Sequence, residues 1–429
     1  MLRIDSFVHR SSLSEMIFRW MVGKPRTGDV MRLKTIVNFN SYISRLWLDW
    51  FTSDLLEVFH GLAPSRFSVS TKGQLKDFAI THPRYTTARI EEMRLQYDWF
   101  PEDFYRDAPI NGVLYAAEFG NGQEFVGSTR IKRFRRVAEK GSRRIVDLML
   151  EQIRANADLL AEERARSLGI PKDQLITTPE KMIEEFKHAE RQVLQSIKHG
   201  TIQSNPRELE IPDFAGVKMI VERHEYSLFR ELVAQMPGVA IAEEEHHAGN
   251  YNGINLKLTY VLPKERLLAD PPKEAHMRVL TYRGFDAAQV SRQYREFVES
   301  AEDEVGFEMI AIDFQEFLES EIGRSMHEER IQAQRAHHDY NGRLATNVRF
   351  LMEFMLSLCR SPWCKDLEDI PIKLWVKYMP DSIERAVRRL YLPEECLYDT
   401  VEADFPPPPE SGSIPMTTNS NDSMKLSKG

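Results

Sequence analysis

Hydrophobic positions along this 429-residue chain recur at two different periods, and the changes between them divide it into segments. In the first hundred residues Phe39, Tyr42, Trp47, Trp50, Phe51 and Phe59 fall at helical intervals, as in a packed helical core. A second helical pattern opens near Arg130 and continues through Ile145, Leu148, Met149 and Ile153. A third is expected over 178–198. Thr178 and Pro179 start it, Glu180 supports its first turn, Gly200 follows its end, and Ile183, Phe186, Val193, Leu194 and Ile197 form its stripe. The period then drops to two. Strands are predicted at 217–221, 239–242, 254–261 and 276–282, with a short helix over 226–235 between the first two. After Gly284 helical spacing returns in Val290, Tyr294, Phe297, Val298 and Ala301, and again in Ile310, Phe314, Phe317, Leu318 and Ile322. Further helices are expected at 343–359 and 382–390.

This order implies an α+β fold, with a small mixed or antiparallel sheet flanked by mainly helical N- and C-terminal regions. The expected organisation is an aromatic-rich helical region over 1–129, a basic helix and linker over 130–177 and the sheet domain over 178–285. A helical region over 286–404 and a disordered tail over 405–429, opening with four prolines, complete it.

Composition narrows the partners. Hydrophobic residues at 42% and charged residues at 28% are those of a globular protein, and with a net charge of −8 any phosphate binding must come from a local basic region and not from the chain as a whole. The charge is unevenly spread. Between Arg130 and Arg144 eight cations (Arg130, Lys132, Arg133, Arg135, Arg136, Lys140, Arg143 and Arg144) face only Glu139, whereas the stretch after Glu296 is acidic. The three cysteines, Cys359, Cys364 and Cys396, form no C-x-x-C pair, which fits a reducing, cytoplasmic compartment. The apolar runs are too short for a membrane span, and Arg3, Asp5, Arg10 and Arg19 interrupt the start as no signal peptide would be interrupted.

Alternation along the strands sorts their side chains into two sets. Val217, Met219 and Val221 point one way and Lys218 the other, with Asp213 just ahead; Ile254, Leu256 and Leu258 oppose Asn255, Lys257 and Thr259. In the fourth segment Met277 and Val279 oppose Glu274, His276 and Arg278. If these faces coincide, two carboxylates able to hold magnesium meet cations able to neutralise phosphate, the requirement of phosphoryl or pyrophosphoryl transfer. The same alternation equally describes an antiparallel sheet with one wet face.

Three motifs bear on this choice. Asp213-Phe-Ala-Gly216-Val-Lys218-Met-Ile-Val221 resembles the D-x-x-G-x-R-I-I-V strand of RelA/SpoT-type nucleotide synthetases. Asn250-Tyr251-Asn252-Gly253-Ile254-Asn255-Leu256 resembles their G-Y-x-S-x-H-x segment, and Glu274-Ala-His276-Met-Arg278 their E-V-Q-I-R strand. The resemblance covers about a quarter of the chain. It implies a magnesium-dependent nucleotidyltransferase that moves pyrophosphate from ATP to the 3′-hydroxyl of a guanine nucleotide, another nucleotide or an RNA end. Asp213 would then be the magnesium ligand and Glu274 the carboxylate activating the hydroxyl, both near the metal. Tyr251 would stack on the acceptor base, and Lys218, with Asn255, Lys257, His276 and Arg278, would line the substrate. Asn250, Asn255 and His276 stand where the family has glycine, histidine and glutamine. A second register places Gly253 on the family's glycine and Ile254 at the stacking position.

The basic segment supports a reading of a different class, an inactive nucleotide- or RNA-binding regulatory module whose contact surface is the helix over 130–144. A salt-bridged surface helix is its plainer alternative. His246-His247, His327-Glu328 and His337-His338-Asp339 lack zinc-site spacing, and no Walker loop, G-x-S-x-G elbow or dinucleotide fingerprint occurs.

Overall fold

The computed structural model describes residues 2–120, 122–201, 209–249, 252–324, 328–330, 332–333 and 342–392. Asn250, Tyr251, His327, His337, His338, Asp339, Cys396 and the tail over 405–429 lie outside the described residues.

The chain opens with a short strand, β1 (Leu2–Ile4), and helices α1 (Arg10–Met21) and α2 (Asp29–His60). Strand β2 (Ser65–Thr71), helices α3 (Lys72–Thr81) and α4 (Ala88–Trp99) and a hairpin of β3 (Pro109–Phe119) and β4 (Gly122–Ile131) follow. Two long helices, α5 (Phe134–Ser167) and α6 (Pro179–His199), lead to β5 (Leu209–Ile211), β6 (Ala215–Ile220) and α7 (Tyr226–Gln235). A second hairpin, β7 (Val239–His247) and β8 (Gly253–Val261), precedes α8 (Lys264–Ala269), α9 (Glu274–Tyr282) and α10 (Ala287–Glu299). Strand β9 (Glu304–Ile312) then runs into α11 (Phe314–Leu318) and a π-helical turn, Glu319–Gly323. Helices α12 (Arg343–Arg360) and α13 (Pro380–Arg388) close the described chain. None of the described helices is long and apolar enough to cross a membrane.

The fold is α+β, as the two periods imply. Its sheet has seven strands in the order β2-β3-β4-β6-β9-β8-β7, mixed because β6 and β9 run parallel while the other neighbours are antiparallel. A separate pair, β1 and β5, is parallel. One face of the large sheet presents Val217, Met219, Leu256, Leu258, Phe307 and Met309 to α2, whose Trp47 and Phe51 rings pack on Phe307 at 5.4 and 4.9 Å. Part of the other face carries Leu114, Phe125, Ile220 and Ile312 beneath α3, α4 and α11. Each core is built by period-two residues on strands meeting helical stripes.

Several expectations hold closely. Helix α6 starts on a Thr178 cap with Pro179 in its first turn and ends at Gly200, whose φ of 67° suits glycine. Helix α5 buries Val137, Gly141, Ile145, Met149 and Ile153 on one side, leaving its arginines on the other. Others are corrected. The segment expected as a fourth strand, 276–282, is helical: Met277 packs on the core and Leu280, one turn later, is buried. The place beside β8 is taken by β9, from the acidic stretch after Glu296 where helical spacing predicts a helix. Val305, Phe307, Met309 and Ala311 are buried in alternation there, a period of two. The sheet also recruits β2, β3 and β4 from the segment expected to be helical, so it extends from Ser65 to Ile312 and is not confined to 178–285.

Candidate functional site

On the sheet face opposite α2, the register aligns Lys218 with Ile310, and Ile310 with Asn255; one step along, Glu308 lies between Gly216 and Lys257. Lys218, Asn255 and Lys257 therefore share a face, as alternation requires. Each is already engaged. Asn255 Nδ2 donates to Glu308 Oε1 at 2.9 Å, and Lys257 pairs with Glu243 across the hairpin. Lys218 is covered by α11 and the π-turn, with its ammonium 3.0 Å from Glu321 Oε1 and 5.3 Å from the centre of the Phe317 ring. Lys72 of α3 pairs with the other oxygen of Glu321 and, at 2.9 Å, with Glu328. The π-turn thus drives one buried carboxylate between two lysines from different elements. Burial presses the Lys218 ammonium to a pKa below its ordinary value, and the Glu321 charge opposes that shift.

Asp213 precedes β6 where β4 and α5 meet. Its Oδ2 lies 2.7 Å from Lys132 Nζ and also receives Lys140, while Lys132 donates to the Asp213 carbonyl. Burial alone would raise the pKa of this carboxyl; the two ammonium charges outweigh it and hold it at about 2. Glu274 sits exposed in the first turn of α9, outside the sheet. A magnesium shared by these carboxylates needs free oxygens converging from both. One is occupied by two lysines and the other stands on a separate helix, so the residues do not fit that metal. Among the described residues no group of three His, Cys, Asp or Glu is placed to hold a metal ion.

His276, on the inner side of α9, packs edge-on against Tyr42 of α2 with ring centres 4.8 Å apart, and burial lowers its pKa. It joins α9 to α2 and is not part of the sheet face. Arg278 points elsewhere, into a cleft of about 420 Å³ lined with Val279, Tyr282, Arg283, Arg360 and Tyr391. The missed residues here, Tyr282 and Arg283, stand four and five positions after Arg278. That spacing groups them only once 274–282 is read as a helix.

The basic segment divides into two sets of cations. Lys132 and Lys140 are spent on Asp213, and Arg136 lies 2.8 Å from Glu139. Arg133, Arg143 and Arg144 are exposed and have no carboxylate partner among the described residues, and Arg135, also exposed, reaches Glu139 only at 3.9 Å. Compared with family models, curated proteins and solved structures, the chain matches none.

Proposed function

We propose that this protein is an RNA-binding module that tracks the phosphate backbone along the first turns of α5. The observation that carries the reading is the set of exposed guanidiniums Arg133, Arg135, Arg143 and Arg144, which stand beside the half-buried cations that neutralise Asp213 and Glu139. From Arg133 to Arg144 the helix rises about 16 Å at ~1.5 Å per residue, a span that meets several successive phosphates. Arginine forks suit phosphate oxygens. Arg143 and Arg144 lie two turns along from Arg135 and Arg136, so the cations extend along the axis while Val137, Gly141 and Ile145 anchor the opposite side. With backbone charge as the recognised feature, binding tolerates many sequences.

Titration of a labelled single-stranded RNA by fluorescence anisotropy between 50 and 200 mM salt tests this. Four contacted phosphates predict a slope of log affinity against log salt near −3, at ~0.7 per phosphate. The double variant Arg143→Glu, Arg144→Glu should bind more weakly with a slope shallower by roughly 1.4. Binding that ignores salt, or is the same in the double variant, overturns the reading.

A further inference from the structure

The cleft at Arg278 is built by three elements that meet at helix ends. Arg278 and Tyr282 project from α9, Arg283 ends it, and Arg360 is the last residue of α12. The Tyr391 hydroxyl donates to Ser357 O at 3.1 Å, fixing that ring against α12. Arg283 is half-buried and gives its guanidinium to the neutral amide oxygen of Asn38. Burial lowers its pKa first and the charge of Arg360 lowers it further. None of the three arginines forms an ion pair among the described residues.

Three guanidiniums supply three positive charges. The C-terminal dipoles of α9 and α12 offset roughly half a charge each, leaving about +2. That is the charge a phosphate monoester balances near pH 7, at roughly −1.5 to −2. The walls are not only cationic. Tyr282 is 60% exposed and Val279 44% exposed, so among the described residues an apolar surface stands open beside the charge. The volume falls in the range of small-ligand clefts, ~300–1,000 Å³.

We propose that this cleft binds a nucleoside monophosphate, its phosphate received by Arg278, Arg283 and Arg360 and its base lying against Tyr282. Arginine forks bind phosphate oxygens in pairs, and ring faces take a base of any sequence. The site is separate from the α5 surface and does not depend on it.

Isothermal titration of the full-length protein with AMP, GMP, adenosine and inorganic phosphate tests the assignment. AMP and GMP should bind saturably, inorganic phosphate more weakly and adenosine not at all at the same concentrations. Arg278→Ala and Arg360→Ala remove exposed side chains and should each weaken AMP at least tenfold. Tyr282→Ala should weaken AMP while leaving inorganic phosphate unchanged, and Arg143→Glu, Arg144→Glu should bind AMP as the wild type does. Absence of saturable AMP and GMP binding, AMP affinity indifferent to Arg278→Ala and Arg360→Ala, or phosphate binding as tight as AMP would each overturn the proposal.

Discussion

Lys218 Nζ lies 3.0 Å from Glu321 Oε1 in a layer between the sheet and the π-turn, where the Glu321 side chain is 1% exposed. Lys72 takes the other carboxylate oxygen, so the two partners differ in what their loss leaves behind. Removing one member of a buried pair strands a charge, at a cost of ~3–5 kcal/mol. Glu321→Gln strands the Lys218 ammonium, Lys72 keeping its pair with Glu328, and should reach that range in urea unfolding. Lys218→Met leaves Glu321 still neutralised by Lys72 and should cost clearly less. Equal losses in the two variants would show that Lys72 does not share the carboxylate.

Asp213 gives the protein a specific response to acid. Its carboxyl titrates at about 2 when folded and near 3.8 when unfolded, so above pH 4 both states are ionised and the full benefit of Lys132 and Lys140 is present. As pH falls from 4 toward 2, the unfolded chain takes up a proton that the folded one refuses, and stability drops. The shift corresponds to about 2 kcal/mol. Denaturant midpoints of wild type and Asp213→Asn, compared from pH 7 downwards, should show a gap that is constant above pH 4 and closes below it. Glu274→Ala, at an exposed position, is the control and should stay within ~0.5 kcal/mol of wild type throughout. A gap that persists unchanged at pH 2.5 would exclude the lysine pairing as its origin.

Local signals were legible where one interaction dominates. The cap and stop of α6, the apolar side of α5 and the limits of α7 follow from side-chain spacing and turn chemistry alone. The shared face of Lys218, Asn255 and Lys257 was legible too, because alternation fixes it within each strand and pairing carries it across. What covers that face was not. Lys218 meets a glutamate 103 positions later, through a turn whose π geometry no periodicity announces. The exchange of 276–282 for 304–312 beside β8 had the same cause: both segments carry alternating apolar residues, and the competition between them is decided by tertiary packing. Reading α9 as a strand also placed Glu274 and Arg278 on a sheet they do not join, and hid Arg283 and Arg360 as companions of Arg278.

Asn38 connects the interior to the arginine cleft. Its side-chain oxygen accepts from Arg283, while its Nδ2 donates to Lys34 O at 2.8 Å and to Cys359 O at 3.0 Å, beside the end of α12 that carries Arg360. Lys34, on the same helix, donates to Ser361 O at 2.7 Å and Trp363 O at 2.6 Å, so α2 holds both walls of the cleft from behind. Asn38 is 4% exposed and acts as a positioning residue that keeps Arg283 charged, oriented and unneutralised. Asn38→Asp changes one atom type and sets a carboxylate against that guanidinium, which lowers the net charge of the cleft by one. AMP affinity should then fall roughly tenfold, about 1.4 kcal/mol. Inorganic phosphate should weaken in parallel, because the altered interaction is with charge and not with the base. RNA binding along α5 should keep its salt slope, since Arg133, Arg135, Arg143 and Arg144 are untouched. A folded Asn38→Asp protein with wild-type affinity for both anions would show that Arg283 contributes no charge to the cleft, whereas a loss confined to AMP would move its role to the base.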